Sequence, residues 1–246
     1  MEKKLNMRGQ TEIFAGKARR ETTVKFYAES PVLFAQIVKE NIKPGNYKMA
    51  DLGGAGGGLC GNLVNLLNDY QFEIDAYDVD TDSLKENKVA KHTYHADLAN
   101  LPAESRYYDI SIMRYVLQWN TIEDQRKIIK EVARITKGIA IIQHCGPQDS
   151  NKNEWRANSD GFINGSGISR ITRKDYLYTS PTEVEEIFKE NNINYKQVQY
   201  RRIDAYIDIF IERYDLTEEE SNLVRTMVAD KNYIFQTTWL LDFRNN

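Results

Sequence analysis

Cysteine and histidine, the residues that most often build disulfides and metal sites, are scarce in this chain of 246 residues. Its two cysteines, Cys60 and Cys145, form neither a disulfide framework nor a metal-ligand spacing. Its three histidines leave few candidates for a catalytic base of that type. We therefore expect a protein without a metal centre.

Long apolar runs and an excess of charge of one sign are also missing. No apolar stretch approaches the roughly 18 residues that a membrane-spanning helix needs, and the N-terminal segment lacks the apolar region of a signal peptide. The net charge is −3, and the basic residues cluster only within the first twenty positions. We expect a cytoplasmic protein with no membrane partner, and the charge disfavours nucleic acid as a partner.

A dense glycine cluster is the most conspicuous feature that the chain does have. Five glycines lie at positions 53–58, directly after an apolar run that ends at Leu52. The pattern predicts a strand, a tight turn and a helix from Leu59. Glycine is needed where the backbone takes a positive φ or a ligand approaches it closely. Because a helix N-terminus also offers free N–H groups to an anion, we predict a nucleotide-like or carboxylate-bearing ligand here.

Short apolar strands and helices alternate from residue 46 to about residue 145, which predicts parallel strands in a doubly wound α/β sheet. Strands are predicted at 47–52, 72–79, 92–96, 108–115, 138–143, 194–203 and 233–244. Helices are predicted at 31–42, 59–70, 81–90, 121–136, 181–191, 206–214 and 217–229, with Thr81 or Asp82 as the cap of the third.

Three further pieces surround the alternating core. We expect residues 1–45 to form an N-terminal helical cover, in which Pro31 starts a helix. Residues 146–180 are polar and show no periodicity, as in a lid loop or a disordered segment. Residues 205–230 carry amphipathic helical patterns outside the strand–helix repeat. The ligand-binding domain is expected to span residues 46–246, with the lid and the helical insertion inside it.

Three aspartates accompany successive strands of the predicted sheet. Asp51 lies in the first strand, ahead of the glycines. Asp78 ends the second strand, where a carboxylate accepts hydrogen bonds from both ribose hydroxyls of an adenosine ligand. Asp97 ends the third strand, where it can accept from an adenine amino group. The alternative interpretation of these residues is a helix cap or a turn aspartate.

These motifs resemble those of the class I S-adenosylmethionine-dependent methyltransferases, especially the branch that acts on small molecules. The similarity is close over residues 46–145. The spacing of Asp51, Gly53 and Gly57 is similar to the first motif of the family, with Ala55 in place of the middle glycine. Matches to further motifs are the context of Asp78, the position of Asp97, the fourth strand at 108–119 and the segment 131–138.

The resemblance implies a seven-stranded, Rossmann-like methyltransferase sheet whose last strand, 233–244, is antiparallel, with the N-terminal cover and the insertion added to it. It also implies S-adenosyl-L-methionine as the cofactor, and methyl transfer to an O, N or C nucleophile of a small molecule by in-line displacement. The protein would contribute mainly alignment, which is worth ~7–11 kcal/mol. The implied cofactor-binding residues are Asp51, Gly53, Gly54, Ala55, Gly57, Asp78, Val79, Asp97, Leu98, Arg114 and Tyr27.

Several residues are candidates for the acceptor side. His144 follows the fifth strand at the end where a doubly wound fold places its crevice, and is the candidate base, with a structural or orienting role as the alternative. Arg114 is either a clamp for a substrate carboxylate or part of an internal ion pair. Tyr115 should also face the crevice, Trp119 is a wall or a core residue, and Tyr27 either belongs to the cover, as in similar proteins, or has a plain packing role.

Three alternative functions are kept beside the methyltransferase. The glycine turn approximates the fingerprint of a nicotinamide-dependent oxidoreductase, but Asp51, Asp97 and the fourth-strand motif disfavour that enzyme. A non-catalytic cofactor-binding subunit is disfavoured by the intact lid and insertion, and an RNA methyltransferase by the net charge. We expect a small-molecule acceptor as partner, and a homodimer is compatible with the sequence.

Overall fold

The computed structural model of the protein describes residues 21–169, 171–172, 176–228 and 232–244, with side chains in the first helix from Ala28 onwards. Its strands are β1 Asn46–Leu52, β2 Gln71–Asp78, β3 His92–His95, β4 Tyr108–Arg114, β5 Thr136–Gly146, β6 Asn194–Asp204 and β7 Tyr233–Asp242. Its helices are α1 Glu21–Asn41, α2 Gly58–Leu66, α3 Thr81–Glu86, α4 Ile122–Ile135, α5 Lys152–Asp160, α6 Pro181–Glu190, α7 Tyr206–Arg213 and α8 Glu218–Val228.

The strands form one seven-stranded mixed sheet in the order β3-β2-β1-β4-β5-β7-β6. Neighbouring strands among β1 to β5 pair in parallel, whereas β7 is antiparallel to both β5 and β6. The predicted fold class, including the antiparallel last strand, is confirmed. Because the chain passes from β1 outwards to β3 and then returns to β4 on the other side of β1, a crevice opens between β1 and β4 at their carboxyl ends.

Apolar side chains bury both faces of the sheet, as near-continuous apolar strands require. On one face, α1 and α2 pack through Phe34 and Leu63 against residues such as Ile141. On the other face, α4 and α6 pack through Ile129 and neighbouring residues around Trp239. The two layers hold the strands rigidly, so that residues at the carboxyl ends keep fixed relative positions.

A third apolar cluster lies over the carboxyl ends of β4 and β5. Trp155 of α5, Phe162 of a π-helical turn and Phe210 of α7 meet Tyr115 and Cys145 of the sheet in this cluster. The segment that we predicted as an aperiodic loop therefore contains a helix and a π-helical turn in its described part. The helix was not predicted because Trp155 is the one large apolar side chain in α5, which is too few to show a periodic pattern.

The first helix also extends beyond its predicted start. The structure places Pro31 inside α1, which begins at Glu21, rather than at the helix start. A proline inside a helix removes one hydrogen bond, although its fixed φ is itself helical. Pro31 is buried, so apolar packing offsets part of that cost. The first twenty residues of the expected cover lie outside the described residues.

Helix α3 ends earlier than the predicted Ala90. The helix stops at Glu86, and Asn87 takes an extended conformation. The Asn87 Oδ1 accepts hydrogen bonds from the backbone N–H groups of Val89 and Ala90, at 3.1 and 3.0 Å. An asparagine side chain that bonds to the backbone in this way competes with helix formation, so Asn87 terminates the helix.

Candidate functional site

An open cleft lies beyond the carboxyl ends of β1, β2 and β4, where the strand order reverses. It encloses about 360 Å³, a volume that includes open solvent at its mouth. Its walls are Gly53, Asp78, Val79, Leu98, Tyr115, Val116, Trp119 and Asn120. Four of the predicted cofactor-binding residues therefore meet in one cleft, and the wall role of Trp119 replaces its alternative as a core residue. A concave site at the carboxyl ends of the strands is where a doubly wound sheet binds its ligand.

The turn between β1 and α2 needs glycine at two positions for steric reasons. Gly53 has a φ of +74°, and a Cβ there would overlap the Val116 side chain. Gly57 has a φ of +77° and is the N-cap of α2. Both residues adopt a conformation that only glycine takes without cost. The turn is thus held close against the neighbouring strand, with its backbone at the floor of the cleft.

Ala55, which replaces the middle glycine of the family's first motif, adopts a left-handed backbone with a φ of +42°. This conformation costs an alanine roughly 1–2 kcal/mol. Two hydrogen bonds hold it: the Ala55 N–H donates to Asp78 Oδ2 at 3.0 Å, and the Ala55 carbonyl accepts from Asn87 Nδ2 at 3.1 Å. The methyl group is therefore accommodated in a strained turn that its neighbours stabilise.

Asp51 carries a buried carboxylate beside this turn, with 3% of the residue exposed. Burial raises the pKa of the carboxyl to about 6, against the opposing influence of the Cys60 thiol and the Arg114 guanidinium. Its Oδ2 is buried and accepts no hydrogen bond from the described residues. A Cβ on Gly54 would lie 2.6 Å from that oxygen, so the missing side chain leaves the carboxylate its space. A buried, unsatisfied carboxylate favours a cationic partner.

Asp78 lines the cleft at the end of β2 and anchors the glycine turn. Its Oδ1 accepts from the Asp80 N–H at 2.9 Å, and its Oδ2 accepts from the Ala55 N–H. Burial raises the pKa of its carboxyl, although these N–H groups oppose the effect. Each carboxylate oxygen has a second lone pair for a ligand hydroxyl. The cap of α3 is Asp80, rather than the predicted Thr81 or Asp82.

Two other predicted residues, Asp97 and Arg114, are sequence neighbours of residues that line the cleft. Asp97 is exposed and accepts from a backbone N–H two residues further on, at 3.0 Å, as expected for a turn aspartate, while the adjacent Leu98 lines the cleft. Arg114 lies near enough to Asp51 to lower its pKa, and its guanidinium carbon is 5.7 Å from the centre of the Tyr115 ring. Arg114 is therefore on the side of the cleft that carries the glycine turn.

The structure does not bring His144 to the cleft. The residue is 1% exposed, its Nε2 lies 2.8 Å from the Thr179 carbonyl, and its ring packs against Trp239. Burial lowers the pKa of the imidazole to about 4, so the ring is neutral and donates its Nε2–H to that carbonyl. Its position is that of an interior residue that ties β5 to the start of α6. The Tyr27 side chain lies outside the described residues.

A buried hydrogen-bond network around Tyr115 could not be predicted from the sequence. Tyr115 has a left-handed φ of +58°, and such strain in a non-glycine residue clusters at functional sites. Its hydroxyl accepts from Gln236 Nε2 and lies 3.4 Å from Ser30 Oγ, which donates to Gln143 Oε1 at 2.6 Å. These residues come from α1, β5 and β7, and no local pattern links positions so far apart.

A protein-family model with the description "Methyltransferase domain" matches residues 50–142 of the chain. This range contains the glycine turn, Asp78, Asp97 and β4, but neither α1 nor the helices α5, α7 and α8 that contribute to the third apolar cluster. Among curated proteins, none matches this chain in sequence.

Several solved structures share the fold. The YcgJ protein from Bacillus subtilis is 15% identical, with 89% of this chain and 100% of that chain covered and a TM-score of 0.70. Geranyl diphosphate C-methyltransferase from Streptomyces coelicolor A3(2), solved with Mg²⁺, geranyl diphosphate and S-adenosyl-L-homocysteine, is 8% identical, with 92% and 87% covered and a TM-score of 0.58. The [4+2]-cyclase SpnF is 11% identical, with 87% and 81% covered and a TM-score of 0.56.

At these identities the solved structures establish the fold alone, and SpnF, named as a cyclase, illustrates that the fold does not dictate the reaction. The match of the methyltransferase-domain model is the finding that goes further, because it covers every motif on which the resemblance was based. Residues 50–142 are accordingly similar to a methyltransferase domain, within a chain that has the Rossmann-like methyltransferase fold.

Proposed function

We propose that the cleft binds S-adenosyl-L-methionine and that the protein transfers the methyl group to an O, N or C nucleophile of a small molecule. The observation that carries this proposal is the buried Asp51 carboxylate beside the glycine turn, whose Oδ2 accepts no hydrogen bond from the described residues. Together with Asp78 at the opposite side of the turn, it suits a ligand with an ammonium group at one end and a diol at the other.

The amino-acid end of the cofactor is assigned to the glycine turn. Asp51 accepts from the ammonium group, and the guanidinium of Arg114 lies on the same side of the cleft for the carboxylate. Close backbone approach is possible because side chains are absent or small along the turn. The residues assigned to this end are Asp51, Gly53, Gly54, Ala55, Gly57 and Arg114.

The adenosine end is assigned to the cleft walls from β2 and the segment after β3. Asp78 accepts from the ribose hydroxyls through its remaining lone pairs. Val79 and Leu98 line the cleft beside it and offer apolar contact to the adenine. Asp97, next to Leu98, accepts from the adenine amino group. Tyr27, on the preceding turn of α1 from Ser30, is assigned to the cover.

When bound, the cofactor supplies a methyl group that its sulfonium already activates, so the chain is required mainly to align the acceptor. Tyr115 and Trp119 form the wall on the acceptor side, beneath the third apolar cluster. Alignment of this kind is worth ~7–11 kcal/mol. We assign no base to the reaction, because His144 is interior and does not reach the cleft; its role is to position β5.

A small-molecule acceptor is favoured by the surroundings of the cleft. The third apolar cluster closes over the carboxyl ends of β4 and β5. The geranyl diphosphate C-methyltransferase is a precedent for a small acceptor on this fold. The net charge of −3 continues to disfavour RNA as the acceptor.

Calorimetric titration with S-adenosylhomocysteine tests the proposal, with the nicotinamide dinucleotides as competing ligands. We expect saturable binding of S-adenosylhomocysteine alone. Asp78→Ala should weaken it about 100-fold, because hydrogen bonds to a charged group contribute about 1.5–3 kcal/mol each. The matched control is Asp82→Ala, since Asp82 is an exposed acid on α3 that pairs with Lys85. Equal affinity of the Asp78→Ala and Asp82→Ala variants would contradict the assignment, and binding of a nicotinamide dinucleotide would favour the oxidoreductase.

A further inference from the structure

The alanine in the glycine turn is held at both of its backbone polar atoms. Its N–H donates to Asp78, and its carbonyl accepts from Asn87. The left-handed conformation that these contacts hold is one that alanine rarely takes in their absence. The turn therefore depends on its neighbours for its shape more than an all-glycine turn would.

Both polar groups of the Asn87 side chain form hydrogen bonds in this region. It is a buried residue with 8% exposed. Its Oδ1 accepts from the N–H groups of Val89 and Ala90, which leaves Nδ2 directed to the Ala55 carbonyl at 3.1 Å. It also fills the space beside Gly57, where a Cβ would lie 2.5 Å from Asn87 Oδ1. Asn87 thus contacts the turn at two points, on either side of its tip.

We propose that Asn87 is a positioning residue for the cofactor: its side-chain amide holds Ala55 in the left-handed conformation and so pre-forms the turn that receives the amino-acid end of the ligand. This inference rests on the proposed function. A pre-formed turn binds more tightly because the ordering cost is not paid on binding. Asn87 acts through Ala55 and Gly57, since it is not among the residues that line the cleft.

The substitution Asn87→Asp separates positioning from a general structural role. Aspartate keeps an acceptor for Val89 and Ala90, and it replaces the donor to the Ala55 carbonyl by an oxygen. The matched control is Asn62→Asp, because the exposed Asn62 also donates to a backbone carbonyl near the turn, that of Gly58 at 2.7 Å. Both substitutions add one negative charge close to the site.

In calorimetric titration with S-adenosylhomocysteine, we expect Asn87→Asp to raise the Kd about five- to ten-fold, as loss of one buried hydrogen bond does. Asn62→Asp should leave the Kd within about two-fold of its original value, as for an exposed interaction. Hydrogen exchange of the ligand-free chain gives a second measurement, in which the Ala55 amide should lose protection in Asn87→Asp but not in Asn62→Asp.

Combining Asn87→Asp with Ala55→Gly tests whether Asn87 acts through the conformation of Ala55. Glycine takes the left-handed conformation freely, so in an Ala55→Gly background the Asn87→Asp substitution should raise the Kd less than about two-fold. General damage to the fold would not be rescued by this change. An equal loss of affinity in both backgrounds overturns the inference, as does an unchanged Kd for Asn87→Asp. Failure of the original chain to bind S-adenosylhomocysteine overturns the proposed function and, with it, this inference.

Discussion

At the residue scale, burial of the Asp51 carboxylate raises its pKa from 3.8 to about 6. The folded chain therefore retains this proton to a higher pH than the unfolded chain does. The group favours folding below about pH 4, and this contribution is lost as the pH rises through 6. Two pKa units correspond to ~3 kcal/mol, so the ligand-free protein carries a penalty of that order at neutral pH.

Asp51→Asn should consequently stabilise the ligand-free protein at pH 8, by about 1–3 kcal/mol. The gain should be smaller at pH 4.5, where the carboxyl is protonated in the folded state and ionised only in the unfolded chain. Urea unfolding at the two pH values measures this difference. The same substitution should weaken S-adenosylhomocysteine binding. In the original chain the affinity should fall below pH 6, where Asp51 is protonated, and Asp51→Asn should remove this pH dependence. A gain that is equal at both pH values would show that the burial of the charge is not responsible.

His144 titrates in the opposite sense. Burial lowers its pKa from 6.5 to about 4, so the unfolded chain takes up a proton at a higher pH than the folded chain. The stabilising contribution is present above pH 6.5 and is lost as the pH falls towards 4, by up to ~3 kcal/mol.

His144→Gln, which keeps a donor for the Thr179 carbonyl, should flatten the fall in stability between pH 6.5 and 4. Because His144 does not reach the cleft, the affinity for S-adenosylhomocysteine should stay unchanged. Urea unfolding over the pH range and calorimetry check the two parts. His95→Gln serves as the control at an exposed position. A large loss of affinity in His144→Gln would show that this residue takes part in ligand binding.

At the scale of elements, α5 is fastened to the start of α6 by Arg156. Its Nε donates to the Tyr178 carbonyl at 2.9 Å, and its two terminal nitrogens bond to Glu183. Partial burial opposes ionisation of Glu183, but Arg156 and the Ser180 N–H outweigh it and lower the pKa of that carboxyl to about 2. The ion pair therefore persists at neutral and mildly acidic pH.

Arg156→Gln should release α5 without disturbing the sheet. We expect faster amide hydrogen exchange in residues 152–165 and unchanged exchange in β1 and β4, measured by mass spectrometry. Arg126→Gln removes an exposed ion pair with Glu190 and provides the control, because such pairs contribute little. If exchange in 152–165 is the same in both variants, the Arg156 contacts do not hold α5.

The elements also differ in how far the sequence predicts them. Helix α4 was predicted because Ile128, Ile129, Val132 and Ile135 recur at helical spacing, and these residues are buried in the structure. Helix α5 lacks such spacing, since its stability comes from Trp155 and Arg156 contacts with distant segments. Periodicity therefore predicts elements that pack along a whole face, and it misses those held at single points.

At the scale of the whole molecule, the cleft joins two parts of the interior. Tyr115 belongs to the third apolar cluster and also lines the cleft, whereas Asp78 and Gly53 come from the parallel half of the sheet. Ligand in the cleft should therefore stabilise the sheet and the cluster together.

In the part of the chain that the structure describes, no helix has the length and apolar character needed to cross a membrane.

S-adenosylhomocysteine at one hundred times its Kd should raise the free energy of unfolding by about 2.7 kcal/mol. Fluorescence of Trp155 and Trp239 follows the two parts during urea unfolding, with single-tryptophan variants to separate the signals. We expect both midpoints to shift. A shift confined to Trp239 would indicate that the ligand contacts the sheet alone.

The sequence by itself determined the parallel sheet, the glycine turn and the carboxylate at the end of β2, because hydrophobic periodicity and turn chemistry act over a few neighbouring residues. The tertiary structure alone decided that His144 is an interior residue, that Asn87 holds Ala55, and that Ser30 approaches Tyr115. Burial, pKa and hydrogen-bond partnership depend on which distant segments pack together. Local sequence patterns do not predict those contacts.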